Sequence, residues 1–528
     1  MAQRVEQSLQ ADIVIIGGGT GGCAAALAAA KRGKRVIMTE ETDWIGGQLT
    51  SQAVPADEHR WIEQFGCTAS YREFRNRVRD YYKKNFAMTP EAVKNERLNP
   101  GNGIVSRLCI DPRVALACLE EMLAPYTHSG KVQIMLNRRV VRAETSGDEV
   151  TSISVVCQRT GQETVLTAPY FLDATECGDV LPLAGVEYVT GAESKEETGE
   201  PNALDGLAQP GDIQSITYCF AVDYREGEDH TIEKPRDYDF WKEYKADFQS
   251  DKMLSWSSAP SLHHKGFTLF PVTEPGYFPL WDYRRIVDRK QFAEGVFESD
   301  VTIVNWPQND YWLGNVYEVS EEEKERHHEQ AKQLSLSLLY WLQTEAPRPD
   351  GGRGYPGIRL RKDVVGTEDG LAKYPYIREA RRIRAEFTVL EQHISPTTRG
   401  DQGAVKFADS VGVGCYRIDL HPTTGGTEGL YIPSLPFQIP LGSLIPVRVN
   451  NLLPACKNIG VTHLTNGCYR VHPSEWNIGE AAGYLSAYCL EKGVTPREVR
   501  NRPELLADFQ ALLVREGIEL DWPVIEAV

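Results

Sequence analysis

Four apolar residues in a row, Ile13 to Ile16, stand between Asp12 and a glycine run and read as a short strand buried on both faces. After the glycines, Cys23 to Lys31 forms an alanine-rich helix stopped by Gly33, and Arg35 to Thr39 forms a second strand. Asp111-Pro112, a capping acid followed by a first-turn proline, starts another helix through Arg113 to Leu123. Val132 to Leu136, Val140 to Ala143, Val150 to Gln158 and Glu163 to Ala168 follow as short strands separated by turns, and Thr167 to Gly185 adds one more strand with a polar end. Near the other end, Asn450 to Gly493 reads as a buried strand, a loop, and a helix whose Gly479, Ala481, Ala482 and Gly483 permit close packing. The stretch from about 190 to 440 is less regular and rich in aromatics and prolines. Its clear element is a helix opened by a Ser320–Glu323 capping box and running through Leu334, Leu338, Leu339 and Leu342. His59 to Lys94 reads as a helical insertion.

The glycine run decides what the first unit does. Gly17, Gly18, Gly19, Gly21 and Gly22 fall within six positions, which a membrane-spanning helix would not tolerate. As Gly17-x-Gly19-x-x-Gly22 between a strand and a helix they have separate tasks. Gly17 allows the tight turn, Gly19 lets backbone approach a pyrophosphate, and Gly22 lets the helix lie close to the strand. Glu40, 23 residues after Gly17 at the end of the second strand, is placed to accept hydrogen bonds from a ribose. A second pair, Gly46-Gly47 in TDWIGGQLTSQ, follows at once. It suits backbone held close to another part of the ligand; a plain surface turn is the other reading.

The chain has 528 residues, more than a single core usually serves, so two domains of unequal size are expected. A net charge of −17 offers a phosphate backbone no general attraction, which argues against nucleic acid as a partner. Eleven cysteines, with no CxxC pair and no secretory signal before them, read as reduced thiols of a cytoplasmic protein. No membrane association and no metal are expected. The pairs His263-His264 and His327-His328 are adjacent residues, which on a helix do not face one ligand.

The Gly17–Gly22 motif, Glu40 and the early Gly46-Gly47 pair resemble the FAD-binding fold of the glutathione-reductase-like flavoproteins. TAPYFLDATECGDVLPLAG resembles that family's strand bringing Asp-Ala-Thr to the nucleotide, here Asp173, Ala174 and Thr175. DATECGDVLPLAG, KYPYIREARRI from Lys373, DSVGVGCYRIDLHP from Asp409 and FQIPLGSLIP from Phe437 are similar to a bacterial group described as FAD-dependent oxidoreductases, some labelled xanthan-lyase-like. The resemblance implies an α/β, Rossmann-like FAD-binding domain built from residues 10–55, 100–189 and 440–500. It further implies an α+β substrate domain over 190–439, with 56–99 as the helical insertion. FAD is the implied cofactor, held by Gly17, Gly19, Thr20, Gly22, Glu40, Gly46, Gly47, Gln48, Leu49, Val140, Asp173, Ala174, Thr175, Asn458, Arg470, Asn477 and Ile478. The last helix is implied to aim its N-terminus at the flavin, where its positive end stabilises negative charge on the reduced ring.

Flavin oxidation of a C–H bond calls for a base beside the reacting carbon and often a cation near the ring. HLTNGCYRVH, directly before that helix, supplies His463 and His472 for acid/base work, Asn466 and Tyr469 for hydrogen bonding, and Arg470 as an anion or flavin contact. In GCYRIDLHP, extended alternation places Arg417, Asp419 and His421 on one face, where Asp can tune His421 and Arg417 can hold a carboxylate or a sugar-like group; a solvated strand face is the other reading. Arg378 to Arg382 reads as an ion-pair network joining the domains. The expected activity is hydride removal from an alcohol or amine, with oxygen or another electron acceptor completing the cycle and a homo-oligomer as one option for the chain's assembly. An NAD(P)H-using reductase or monooxygenase and a non-catalytic flavin-binding protein are the alternatives.

Overall fold

The computed structural model describes residues 7–257, 264–524 and 526–528. His263 lies outside the described residues.

Five parallel strands form the central sheet: β1 (Ile13–Ile16), β2 (Val36–Thr39), β3 (Val132–Met135), β4 (Tyr170–Asp173) and β5 (Leu452–Pro454). Their spatial order is β5-β4-β1-β2-β3, so β1 and β5, more than 400 positions apart in sequence, flank the same strand. Both faces of this sheet are covered, which is why its strands are near-continuous apolar runs. The helix α1 (Thr20–Lys31) follows β1, and α2 (Pro112–His128) starts at Asp111, whose side chain caps the backbone N–H of Arg113.

The C-terminal return contains α3 (His463–Tyr469) and α4 (His472–Lys492). The segment expected as a loop, His463 to Tyr469, is therefore a helix. Thr462 opens it with a capping box to Thr465, and Gly467 lies so close to the strand Ile418–Leu420 that a Cβ there would stand 2.9 Å from the Asp419 amide. Poor helix formers are held by packing here. The helices α1 and α4 cross at glycine: a Cβ on Gly479 would be 2.0 Å from the Gly21 carbonyl oxygen, and one on Gly483 would be 2.4 Å from that of Ala25.

Arg138–Ser146, Glu149–Cys157 and Glu163–Thr167 form an antiparallel meander beside the central sheet. Gln7–Gln10, in the stretch before the first predicted strand, adds to its edge in parallel with Glu163–Thr167. A second core lies in the middle of the chain, where Phe220–Tyr224, Arg285–Val287, Val301–Val304 and Ile358–Leu360 form an antiparallel sheet. The helix Glu321–Thr344 packs there through Leu334, Leu338, Leu339 and Leu342 and starts with the expected Ser320–Glu323 box. Ala69–Asn85 is the main helix of the 56–99 stretch. No helix among the described residues is long and apolar enough to cross a membrane.

Candidate active site

At the C-terminal end of the central sheet, where α/β folds keep their ligand crevice, a cavity of about 400 Å³ opens beside the β1–α1 turn. Gly17 has φ +99°, and a Cβ there would stand 2.2 Å from the Ala174 carbonyl oxygen, so this turn admits only glycine without rearrangement. Gly22 lies equally close to Gly17, while Gly19 caps α1 with no side-chain bond to the first-turn amides. The second glycine pair is not a surface turn: Gly46 and Gly47 are buried, the Gly46 amide donates to the Gly18 carbonyl, and Thr20 Oγ1 donates to the Gly46 carbonyl at 3.0 Å.

The cavity runs from Glu40 and Val140 past Ala174 and Thr175 to Gly47 and Gln52. Glu40 accepts from the Gly18 amide at 3.0 Å and from the Thr42 amide and hydroxyl, and burial pushes its carboxyl up to about 7. Asp173 accepts from the Thr175 amide and hydroxyl through one oxygen, and burial raises it likewise to about 7. Its other oxygen has no partner, nor do either polar atom of the Gln52 amide, Gln48 Oε1, Glu176 Oε1 or Glu475 Oε1, although all of these atoms are buried. Buried polar atoms normally have partners. Gln52 and Glu176 line the crevice itself, and their unpartnered atoms beside backbone turns without Cβ atoms fit a ligand carrying phosphates, hydroxyls and a polar heterocycle.

The remaining cofactor candidates brace this crevice. Asn458 donates to the Asp173 carbonyl and accepts from the Cys456 amide. Asn477 is tied to the strand Ser410–Gly414 through the Val413 amide and the Val411 carbonyl, and Leu49 and Ile478 belong to the core. Gln48 donates to Glu475 at 2.7 Å and to the Arg470 carbonyl at 3.0 Å.

Arg470 connects this region to a second cavity. Its guanidinium donates to the Tyr376 hydroxyl at 2.6 Å and the Asp419 carbonyl at 2.9 Å, while its buried Nε is unpartnered. Beyond Asp419 lies a cavity of about 150 Å³, lined among others by Phe248, Trp312, Asp419, His421, Glu428 and Tyr431. His421 Nδ1 stands 2.6 Å from Asp310 Oδ2, and His421 Nε2 is 3.7 Å from Asp419 Oδ2, beyond hydrogen-bond distance. Asp310 is buried and also accepts from Arg378 at 2.9 Å and Thr217 at 2.5 Å. Burial works to raise its carboxyl, but Arg378 and His421 outweigh that and hold it at about 2. Asp310 accepts the Nδ1 proton of His421 in a hydrogen bond, so Nε2 is the ring nitrogen left for a ligand in the cavity that His421 lines.

The other expected acid/base residues line neither cavity. His463 is buried with Nδ1 2.9 Å from Glu379; burial opposes its charge, yet Glu379 raises its pKa overall. His472 accepts the Asp57 amide at Nδ1, and burial lowers its pKa to about 4. Tyr469 donates to the Gln438 carbonyl at 2.7 Å with its ring stacked on Phe437, and Asn466 donates to the Arg378 carbonyl. Arg417 and His421 flank the strand Ile418–Leu420 that carries Asp419, and the Arg417 guanidinium lies over the Tyr431 ring at 5.0 Å.

The Arg378–Arg382 run forms the expected ion pairs: Arg378 with Asp310, Arg381 with Asp179 and Glu318, and Arg382 with Glu193 and Glu379. Sequence reasoning did not single out Asp310, Gln52, Glu176 or Lys457. Glu176 and Lys457 lie inside DATECG and PACKN, where a charge at the end of an apolar strand was the available signal; Asp310 carried none.

The family model that matches is described as FAD dependent oxidoreductase, over residues 12–513. No curated protein matches. Among solved structures, L-proline dehydrogenase from P. horikoshii is similar at 14% identity and a TM-score of 0.19, covering 36% of this chain and 25% of that one. The rebeccamycin biosynthetic enzyme RebC with reduced flavin is similar at 14% identity and 0.24, covering 42% and 39%. The quinol fumarate reductase FrdA of E. coli, as a single-site variant, is similar at 11% identity and 0.31, covering 96% and 74%. The chain thus spans a quarter of the length of the first of these and well under half of the second.

Proposed function

The chain belongs to the FAD-dependent oxidoreductase family and is an enzyme that uses FAD; from that premise we propose that it oxidises a polar, non-anionic small molecule, an alcohol or an amine, in the cavity beside His421. The observation that carries this reading is the Asp310–His421 pair, which leaves Nε2 for a ligand in a cavity linked through Asp419 and Arg470 to Gln48 and the second glycine pair. In the glutathione-reductase-like arrangement proposed for the cofactor domain, residues 10–55, 100–189 and 440–500 hold the cofactor. Residues 190–439 cover the substrate, and 56–99 are an insertion.

When bound, FAD supplies a two-electron acceptor that takes a hydride from carbon. The glycine turns of residues 17–22 and 46–47 would flank its diphosphate, and Glu40 would accept from its ribose. Gln48, Gln52 and Arg470, whose buried polar atoms have no partner, would hold its ring system. His421 takes the proton of the substrate hydroxyl or amine at Nε2, while Nδ1–H remains on Asp310; the resulting imidazolium sits between two carboxylates, Asp310 and Asp419. Phe248, Trp312 and Tyr431 give the substrate apolar surface, and the acids Asp251, Asp419 and Glu428, against the single lysine Lys252, disfavour an anion. Oxygen or another electron acceptor would complete the cycle.

The test is anaerobic bleaching of the bound flavin against sugars, polyols, hydroxy acids, amines and NAD(P)H. Bleaching by an alcohol or amine, lost in His421→Gln, is the expected result. Bleaching by NAD(P)H alone would overturn the oxidation reading in favour of a reductase or monooxygenase.

A further inference from the structure

One buried cation in the cofactor crevice has no task in the proposed chemistry. Lys457, just past β5, is buried, with Nζ 2.5 Å from Glu176 Oε2 and 3.6 Å from Glu475 Oε2. Two carboxylates therefore share one ammonium. Burial works to discharge the lysine, but Cys456, Glu176 and Glu475 keep its pKa well above the ordinary value. Glu475 is steadied by Gln48 through the same oxygen, whereas its Oε1 is buried and unpartnered.

The position of Glu176 is the telling detail. Its Oε1 has no hydrogen-bond partner and stands only 2.8 Å from where a Cβ on Gly19 would be and 2.7 Å from where one on Gly47 would be. The carboxylate therefore fills the gap between the two glycine turns, the place that the motif reserves for a diphosphate. A carboxylate and a diphosphate cannot share that gap, by volume or by charge. Lys457 lies behind it, aimed at whichever anion is there. The adjoining cavity is also lined by Lys324 and Arg381, cations toward which a displaced carboxylate can turn.

We propose that Lys457 is the counter-ion of the FAD diphosphate, and that Glu176 is an internal anion holding the same place, which swings off Lys457 as the cofactor seats. The inference rests on the crevice being the FAD site, as argued above. Cofactor binding is then an exchange of one anion for another on a fixed cation, so the buried charge of Lys457 is never left unpaired. The internal carboxylate costs affinity because it competes; it also lets the crevice fold before cofactor arrives.

The full-length apoprotein, titrated with FAD, ADP and adenosine, tests this, with binding read from flavin fluorescence for FAD and from competition for the others. Glu176→Gln removes the competing charge, so Kd for FAD and for ADP should fall by about tenfold while Kd for adenosine, which has no phosphate, stays the same. Lys457→Met should raise Kd for FAD and ADP by tenfold or more on the same grounds. That variant leaves two buried carboxylates unpaired and can fail to fold. The double variant Glu176→Gln with Lys457→Gln carries neither charge and should bind FAD more weakly than Glu176→Gln alone. Weaker FAD binding by Glu176→Gln, or an equal change for adenosine, would overturn the exchange and make Glu176 a cofactor contact or a brace. Equal affinity of the double and single variants would overturn the role of Lys457. A wild-type apoprotein that takes up no FAD would overturn the cofactor site itself, a result distinct from both.

Discussion

At the scale of single residues, chemistry depends on pairs that are far apart in sequence. His421 and Asp419 share a strand face, which period-two alternation makes visible, but the partner that orients His421 is Asp310, 111 positions earlier. His421→Gln is expected to slow flavin reduction by substrate by about 10²–10⁴-fold, measured by anaerobic stopped flow, with FAD affinity unchanged. Asp310→Asn should slow the same step and also lower stability, because Arg378 loses its buried counter-charge. His472 offers a test by pH. Its folded pKa, about 4, lies below the unfolded value near 6.5, so the folded chain is favoured while the imidazole is neutral. Stability is therefore present above pH ~6.5 and lost as pH falls toward 4, by about 2 kcal/mol at pH ~4.5. His472→Asn, which can still accept the Asp57 amide, should flatten that part of a urea-denaturation series, and an unchanged slope would assign the acid sensitivity elsewhere.

At the scale of elements, glycine placement sets how closely helices approach. The crossing of α1 and α4 leaves no room for a β-carbon on Gly479, which contacts Gly21 within the phosphate cradle of residues 17–22. Gly479→Val is expected to cost about 2 kcal/mol or more and to weaken FAD binding, seen together as a lower melting temperature and a higher Kd. Loss of stability with FAD affinity intact would show that the crossing and the cradle are independent. The strand–turn–helix at residues 13–31, the capped helix after Asp111 and the small-residue helix α4 were legible because each carries its own local signal. The helix α3 was not, because Asn466 and Gly467 are poor helix formers and the segment is helical through its packing on Ile418–Leu420. His463 illustrates the same limit: its residue type and position suggested acid/base chemistry, whereas its partner Glu379, 84 positions earlier, ties it into the ion-pair network.

At the scale of the whole molecule, the crevice is lined by residues from three separate stretches, 16–52, 138–183 and 321–381, that meet only in the folded chain. A ligand that bridges them should stabilise the whole fold by mass action, by about 2.7 kcal/mol at a hundredfold excess over Kd. Adding FAD to apoprotein should therefore raise the melting temperature in calorimetry, and no shift at that excess would mean that FAD does not bind the folded chain in preference to the unfolded one. The first two stretches were recognisable, but the third lies in the aromatic middle region, which offered no periodicity from which its sheet, its share of the crevice or the Asp310 position followed. The strand order has a temporal consequence. Because β4 is flanked by β1 and by β5, which follows β1 by more than 400 positions, the sheet can close only after the ribosome has released β5. Chains halted before that point should remain colourless and exposed to chaperones and proteases, so that cofactor uptake follows the arrival of β5 rather than of the first glycine turn.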